Sequence, residues 1–275
     1  DGVQSVAVKN GVVAAAIARA PTPIFGGEAA VSEPGFVALF DAASGDLLAT
    51  VDVGNLPDQL TFTPDGMTLL VAGEGELNED SDNADNPRGT VALVAVADPA
   101  NPTAQLLDFT AFDGLEEAAR GAGLRIRPGV SFAQDVEPEY IAVAEDGETA
   151  FVALQENNAI ATIDLASGAV TDVFGLGTVD FASESALDPN DDGQIQIRNV
   201  PGLVGLRMPD AIASFDDADG ATYVVTANEG DSRGFDEERV GDLAADGLID
   251  PELAATLTAE GLLDDDPETE LGLER

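Results

Sequence analysis

Three stretches of this chain repeat one strand–turn–strand pattern, and that repetition limits the fold more than any other feature. Pro57-Asp58-Gln59-Leu60-Thr61-Phe62 passes through the turn Pro64-Asp65-Gly66 into Leu69-Leu70-Val71-Ala72 and ends on Gly73-Glu74-Gly75-Glu76. Pro138-Glu139-Tyr140-Ile141-Ala142-Val143 turns at Glu145-Asp146-Gly147 into Ala150-Phe151-Val152-Ala153 and ends on Gln155-Glu156-Asn157. Pro209-Asp210-Ala211-Ile212-Ala213-Ser214-Phe215 turns between Asp216 and Gly220 into Tyr223 to Ala227 and ends on Asn228-Glu229-Gly230-Asp231. A fainter copy opens the chain, from Val3 to Val8, through Asn10-Gly11, to Val12–Ala18. Self-similarity of this kind is the mark of a repeat architecture, in which each unit buries its apolar faces against its neighbours.

The strands that follow each copy complete the unit. Phe36–Asp41 and Leu47–Val53 extend the first copy, with the turn Ala42-Ala43-Ser44-Gly45 between them. Thr90–Val96 and Ala104–Phe109 extend the second, and Ala159–Asp164 and Val170–Val173 the third, turning at Ala166-Ser167-Gly168. Four short antiparallel strands per unit make a propeller blade. The expected fold is therefore an all-β propeller in one domain, with units at about 3–53, 57–110, 138–174 and 209–275. The fourth unit lacks its third and fourth strands, so the propeller is expected to be incomplete and to continue past residue 275. Short helices are expected at 114–121, 240–245 and 251–260, the last with Pro251 in its first turn. Residues 175–208 read as a long irregular loop. Asp41 and Asp164 each precede an Ala/Ser/Gly turn and are expected to bond its backbone.

Charge removes several function classes. There are 53 acidic and 11 basic residues, a formal net charge of −42, and Lys9 is the single lysine. Phosphate backbones and anionic membranes need a basic surface, so nucleic acid and lipid headgroups are poor partners. No apolar run approaches the roughly 18–20 residues of a membrane-spanning helix. Cys and His are both absent, which excludes disulfides, Cys/His zinc sites and His-dependent nucleophilic triads. The donors that remain for a metal are oxygens.

Those oxygens fall into columns when the three strong copies are superposed. The first column reads Asp58, Glu139, Asp210; the second Glu74, Gln155, Glu229; the third Glu76, Asn157, Asp231. The first strand of a blade lies nearest the propeller axis, so equivalent positions converge. Like carboxylates repel without a countercharge, and Ca²⁺ takes six to eight oxygen ligands. The columns therefore predict a calcium site; the competing reading is that these acids only cap turns. A second candidate is Asp188-Pro189-Asn190-Asp191-Asp192-Gly193-Gln194-Ile195, where Asp188, Asn190 and Asp192 hold positions 1, 3 and 5 of a calcium loop and Gly193 position 6. Position 12 is Asn199 rather than Glu, and Val200-Pro201-Gly202 cannot continue as a helix. The run Glu79, Asp80, Asp82, Asp85 reads as a solvated loop. Arg233, beside Asp231 and Glu229, is either an ion-pair partner or a phosphate-positioning group.

The stretches PDQLTFTPDGMTLLVAGEGE, PGVSFAQDVEPEYIAVAEDGETAFVALQENNAIATIDL and MPDAIASFDDADGATYVVTANEGDSRGFDEERVGDL resemble the choice-of-anchor I family of secreted bacterial β-propellers, over about residues 3–275. Some members of that family are labelled alkaline phosphatase, and its animal relatives are mesenchyme-specific cell-surface glycoproteins. The resemblance implies an extracellular or cell-surface location and an association with calcium or mineral. It does not imply catalysis. The first expectation is a calcium-associated binding or structural module, whose partners are a divalent cation and a mineral, phosphate ester or extracellular surface. The alternative is a calcium-dependent phosphoesterase of propeller type, and a lactonase-like propeller is the third reading.

A net charge of −42 strains a compact state by self-repulsion, and a saline setting relieves it. Raising NaCl from about 0.1 M to about 1 M shortens the screening length from roughly 10 Å to 3 Å. The melting temperature of the chain is expected to rise over that range, measured by circular dichroism.

Overall fold

The computed structural model describes residues 2–19, 33–76, 86–189, 193–233 and 239–263. The chain clusters into two compact units, one of residues 1–176 and 208–229, the other of residues 177–207 and 230–275.

The larger unit holds the repeats. Strands β1 (Gly2–Lys9), β2 (Val12–Ala18), β3 (Pro34–Asp41) and β4 (Leu47–Asn55) form an antiparallel sheet in sequence order. So do β5 (Pro57–Phe62), β6 (Thr68–Gly73), β7 (Thr90–Ala95) and β8 (Thr103–Asp108). The third sheet is β9 (Pro138–Val143), β10 (Thr149–Leu154), β11 (Ala159–Asp164) and β12 (Ala169–Gly175). Strands β15 (Pro209–Asp216) and β16 (Thr222–Asn228) pair as the fourth. The first strands pack in succession, β1 on β5, β5 on β9, and β9 on β15. These are β-propeller blades, as the repeat predicts.

Period-two alternation explains why the middle strands read as almost continuous apolar runs. In β6, Leu69 and Val71 join a core with Ala14, Val37, Leu39 and Val94 of the first two blades. The alternate residues Leu70 and Ala72 join a core with Ile141, Val152 and Ile163 of the third blade. Both faces of the blade are thus buried. A third small cluster, Ala142, Ala153 and Ile212, joins the third blade to the fourth. The outer strand β8 is mostly exposed.

A polar insertion lies between the second and third blades. It contains a 3₁₀ turn (Thr110–Phe112), α1 (Glu116–Gly121) and α2 (Phe132–Asp135). Its Phe132, Ala133 and Val136 belong to the core shared by those two blades, and Phe112 stacks on Phe132 at 5.4 Å. The expected turn caps are present. Asp41 Oδ1 accepts from the Ala43 and Ser44 N–H groups, and Asp164 Oδ1 accepts from the Ser167 N–H and Oγ. These bonds hold both carboxyls below the usual aspartate range.

The smaller unit departs from the sequence reading. Residues 175–208, expected as irregular loop, contain β13 (Thr178–Asp180) paired with β14 (Val204–Leu206), and a bridge between Leu187 and Arg198. Helices α3 (Val240–Ala245) and α4 (Pro251–Ala259) follow, α4 capped by Asp250, which accepts from Glu252 and Leu253 N–H groups. Val200, Leu257 and Leu262 form its core. Strands of three residues carry too little periodicity to be seen in sequence.

Gly89, just before β7, is where the second blade approaches the chain leading into the third. A Cβ there would run into the Val136 carbonyl oxygen and come within 2.7 Å of Pro138 Cδ. Both neighbours are backbone or ring atoms, so neither can swing away. Gly89→Ala is expected to destabilise the protein by about 1–3 kcal/mol, measured by urea unfolding.

Candidate functional site

The site is built from a defect repeated in every first strand. In β5, Pro57 pairs with Gly73 and Leu60 with Val71, so Asp58 and Gln59 together face Ala72 alone. In β9, Glu139 and Tyr140 occupy the same interval between Pro138↔Leu154 and Ile141↔Val152. In β15, Asp210 and Ala211 lie between Pro209↔Asn228 and Ile212↔Thr226. In β1, Gln4 is the extra residue. A β-bulge kinks its strand and re-aims a side chain. The first acidic column sits on the bulge in all three strong copies.

The bulges also leave backbone groups to satisfy, because a first strand is the inner edge of its sheet. The neighbouring blade supplies the partners. Ser5 Oγ accepts from Leu60 N–H (3.4 Å), Gln59 Oε1 accepts from Ile141 N–H (3.0 Å), and Ser214 Oγ donates to the Val143 carbonyl (2.9 Å). Gln59 in its bulge and Ser5 next to its own thus tie adjacent blades near the acids, and Ser214 ties them farther along the strand.

Three carboxylates meet there. One oxygen each from Asp58, Glu74 and Glu139 lies within 4.8 Å of the others. All three residues are half-buried. Glu74 is held from the second strand, its N–H bonding the Leu56 carbonyl at 3.1 Å, while Leu56 adopts a left-handed φ of 44°. The fourth unit copies this local geometry. Met208 has φ 43°, and Glu229 N–H bonds its carbonyl at 3.2 Å.

Burial and crowding raise the proton affinity of the group. Glu139 is pushed up to about 10 by desolvation first, then by the charges of Glu74, Glu156, Asp58 and Glu137. Glu74 is pushed up to about 9 by desolvation, then by Asp58, Glu76, Glu137 and Glu156. Asp58 is raised by desolvation and by Asp210, and partly offset by a hydrogen bond from Glu139. At neutral pH the cation-free cluster therefore holds protons that a bound cation would displace. Hard oxygen donors, partial burial and a spacing that one cation can span at about 2.3–2.6 Å per bond are what calcium requires, so these residues fit that ion.

The other predicted residues are placed as follows. Asp210 is half-buried on its bulge, and its charge is felt by Asp58. Glu229 Oε2 accepts from Gln155 Nε2 at 3.3 Å. Asp231 belongs to the smaller unit, where its Oδ1 accepts from Ser232 N–H, and Arg233 is buried in that unit. In the third column, Asn157 is fully buried, and both ends of its amide are engaged by Glu137 N–H and by the Arg125 and Asp135 acceptors. It is a structural amide and not a donor to a cation. In the second candidate loop, Asp188 Oδ2 accepts from Gln196 N–H, Asn199 Nδ2 bonds the Phe181 and Ser185 carbonyls, and Ile195 is exposed where a calcium loop would bury its apolar position. Asn190 and Asp192 lie outside the described residues, as do Glu79, Asp80, Asp82 and Asp85. Sequence reasoning did not single out Glu137 and Glu156, whose charges act on the cluster. Their signal was position, each one or two residues from a column member.

The choice-of-anchor I domain model matches residues 2–273. The chain belongs to the choice-of-anchor I family. No curated protein matches it. Solved structures similar to this choice-of-anchor I chain include Kuenenia stuttgartiensis hydrazine synthase, at 10% identity and TM-score 0.42, covering 81% of this chain and 57% of that one. The β-propeller domain of Myceliophteria thermophila Cps50 (Swd1) matches at 11% identity and TM-score 0.38, covering 64% of this chain and 42% of that one. A functionally unknown protein from Desulfotomaculum acetoxidans DSM 771 matches at 13% identity and TM-score 0.41, covering 82% and 49%. The chain thus spans between 42% and 57% of the lengths of these solved chains. Among the described residues, no helix is long and apolar enough to cross a membrane.

The raised carboxyls fix the sign of a pH effect. Glu74 and Glu139 bind protons more tightly in the folded than in the unfolded chain, so folding takes up protons between an unfolded value near 4.5 and folded values of about 9 and about 10. Stability is full below the lower limit and falls as pH rises through the interval. In chelator-treated protein the melting temperature is expected to fall from pH 5 to pH 9. Glu139→Gln is expected to flatten that slope and to stabilise the protein at pH 8 by roughly 1–2 kcal/mol.

Proposed function

We propose that this chain is a surface-displayed, acidic β-propeller module that binds a divalent cation, calcium by preference, in a binding or structural role. The observation that carries the reading is the meeting of Asp58, Glu74 and Glu139 oxygens within 4.8 Å, with Asp58 and Glu139 on bulges that recur from blade to blade. The choice of calcium is supported by a donor set made only of oxygens in a chain without Cys or His. The choice-of-anchor description supports display at a cell surface, and the −42 charge supports an extracellular, saline setting.

Asp58, Glu74 and Glu139 hold the ion, with Asp210 adding negative charge beside Asp58. The cation supplies the countercharge that lets these carboxyls ionise together. Cation binding then replaces repulsion between adjacent first strands with attraction, and the occupied propeller end offers calcium to an anionic partner such as a mineral surface or a phosphate ester.

Calorimetric titration of calcium into chelator-treated protein tests this. One saturable site is expected, with proton release visible as a dependence of the heat on the buffer's ionisation enthalpy. Asp58→Asn or Glu139→Gln is expected to weaken binding by about 10-fold or more. Absence of saturable binding would leave the carboxyls as a protonated structural cluster. Calcium-dependent turnover of a generic phosphate monoester by the same sample, lost in Glu139→Gln, would replace the binding-module reading with a phosphoesterase.

A further inference from the structure

The chain leading into each acid-bearing strand is held by something, and in two cases the holder is a side chain from one dipeptide. Asn157 and Asn158 occupy the turn between β10 and β11, and each is 0% exposed. Asn157 Oδ1 accepts the N–H of Glu137 at 3.2 Å. Asn158 Oδ1 accepts the N–H of Met208 at 3.2 Å. Glu137 is two residues before Glu139, and Met208 is two residues before Asp210. One turn of the third blade therefore grips the approach to its own first strand and the approach to the next blade's first strand, at the same distance from the acid in both.

The rest of the turn makes that grip stiff. Asn157 Nδ2 donates to the Arg125 carbonyl, the Asp135 carbonyl and Asp135 Oδ2, at 3.0, 3.2 and 2.9 Å. The insertion before the third blade is thereby pinned to the same amide. Asn158 takes a left-handed φ of 51°, donates its N–H to the Gln155 carbonyl and accepts Leu176 N–H on its own carbonyl. Asparagine tolerates this conformation better than most residues. Glu137 lacks the left-handed φ of Leu56 and Met208, the residues that precede proline in the second and fourth units. The third blade is approached from the insertion instead of from a preceding blade, and the Asn157 amide takes over the anchoring.

We propose that Asn157 and Asn158 are positioning residues that set the placement of Glu139 and Asp210 in the acidic site. Neither touches the cation. Each acts through a backbone N–H two residues upstream of a carboxylate. The consequence for binding rests on the cation reading given above, whereas the placement itself rests on the hydrogen bonds.

The experiment compares Asn158→Ala and Asn157→Ser with Val94→Ala, a core truncation in the second blade at a 0% exposed residue. Calcium alone is titrated into each chelator-treated, full-length protein. Both asparagine variants are expected to lose about 10-fold or more in calcium affinity, the loss typical when a group supporting a metal ligand is removed. They are also expected to change the ratio of calcium to magnesium affinity, because magnesium tolerates less distortion. Val94→Ala is expected to lower the melting temperature without changing either quantity. Unchanged affinity and selectivity in folded asparagine variants would overturn the proposal. A second readout is the backbone amide spectrum of the calcium-free proteins. Shifts at Glu139 and Asp210 are expected in the asparagine variants, and unmoved resonances would overturn the placement even if the wild type binds no calcium. Wild-type protein that binds no calcium, with shifted resonances in the variants, would reject the cation reading and leave the placement standing.

Discussion

A first strand at the inner edge of a propeller blade has hydrogen-bonding groups that its own sheet cannot satisfy, and the larger unit is organised by how they are met. Leu60 and Ile141 N–H groups are taken by Ser5 and Gln59 of the preceding blade, and the Val143 carbonyl by Ser214 of the next. Each bond forces adjacent first strands into register. The bulge at Asp58-Gln59 lets one short segment supply both a tie to the next blade and an acid to the cluster, and the bulges at Glu139-Tyr140 and Asp210-Ala211 place an acid at the equivalent position.

That solution gathers like charges. Repulsion among Asp58, Glu74 and Glu139, reinforced by Glu137 and Glu156, works against the blade contacts that the core of Leu70, Ile141 and Val152 supports. The cluster can relax by holding protons or by holding a cation, and the two compete for the same oxygens. The surface charge of the whole chain adds to the strain at low salt. Stability and protonation are therefore linked through one set of carboxyls, and the proposed cation would act on the same set.

Much of this was legible in the sequence. Turn signals at Pro64-Asp65-Gly66 and Glu145-Asp146-Gly147, with short apolar runs on either side, located the strands around them to within a residue or two. The recurrence of an acid after each opening proline located Asp58, Glu139 and Asp210 as equivalents. The caps of Asp41 and Asp164 followed from local turn chemistry. The bulges were not legible, because a bulge is a statement about register between two strands and not about either strand alone. The contacts of Asn157 were not legible for a related reason. Its column partner Glu76 suggested an oxygen donor, but the insertion of 110–137 brings Asp135 and Glu137 against it, and those partners are distant in sequence.

The sequence alone determined the repeat, the strand pattern, the exclusion of Cys and His chemistry, and the acidity, since each depends on residue type and local spacing. Tertiary structure decided which acids share one space. Among the described residues, Asp58, Glu74 and Glu139 bring oxygens within 4.8 Å of one another, because long-range pairing and burial, not spacing along the chain, fix the distance between charges and the dielectric around them. It also divided the chain at 177–207 and 230–275 into a separate unit, where three-residue strands and a small core are held by contacts that no local pattern records.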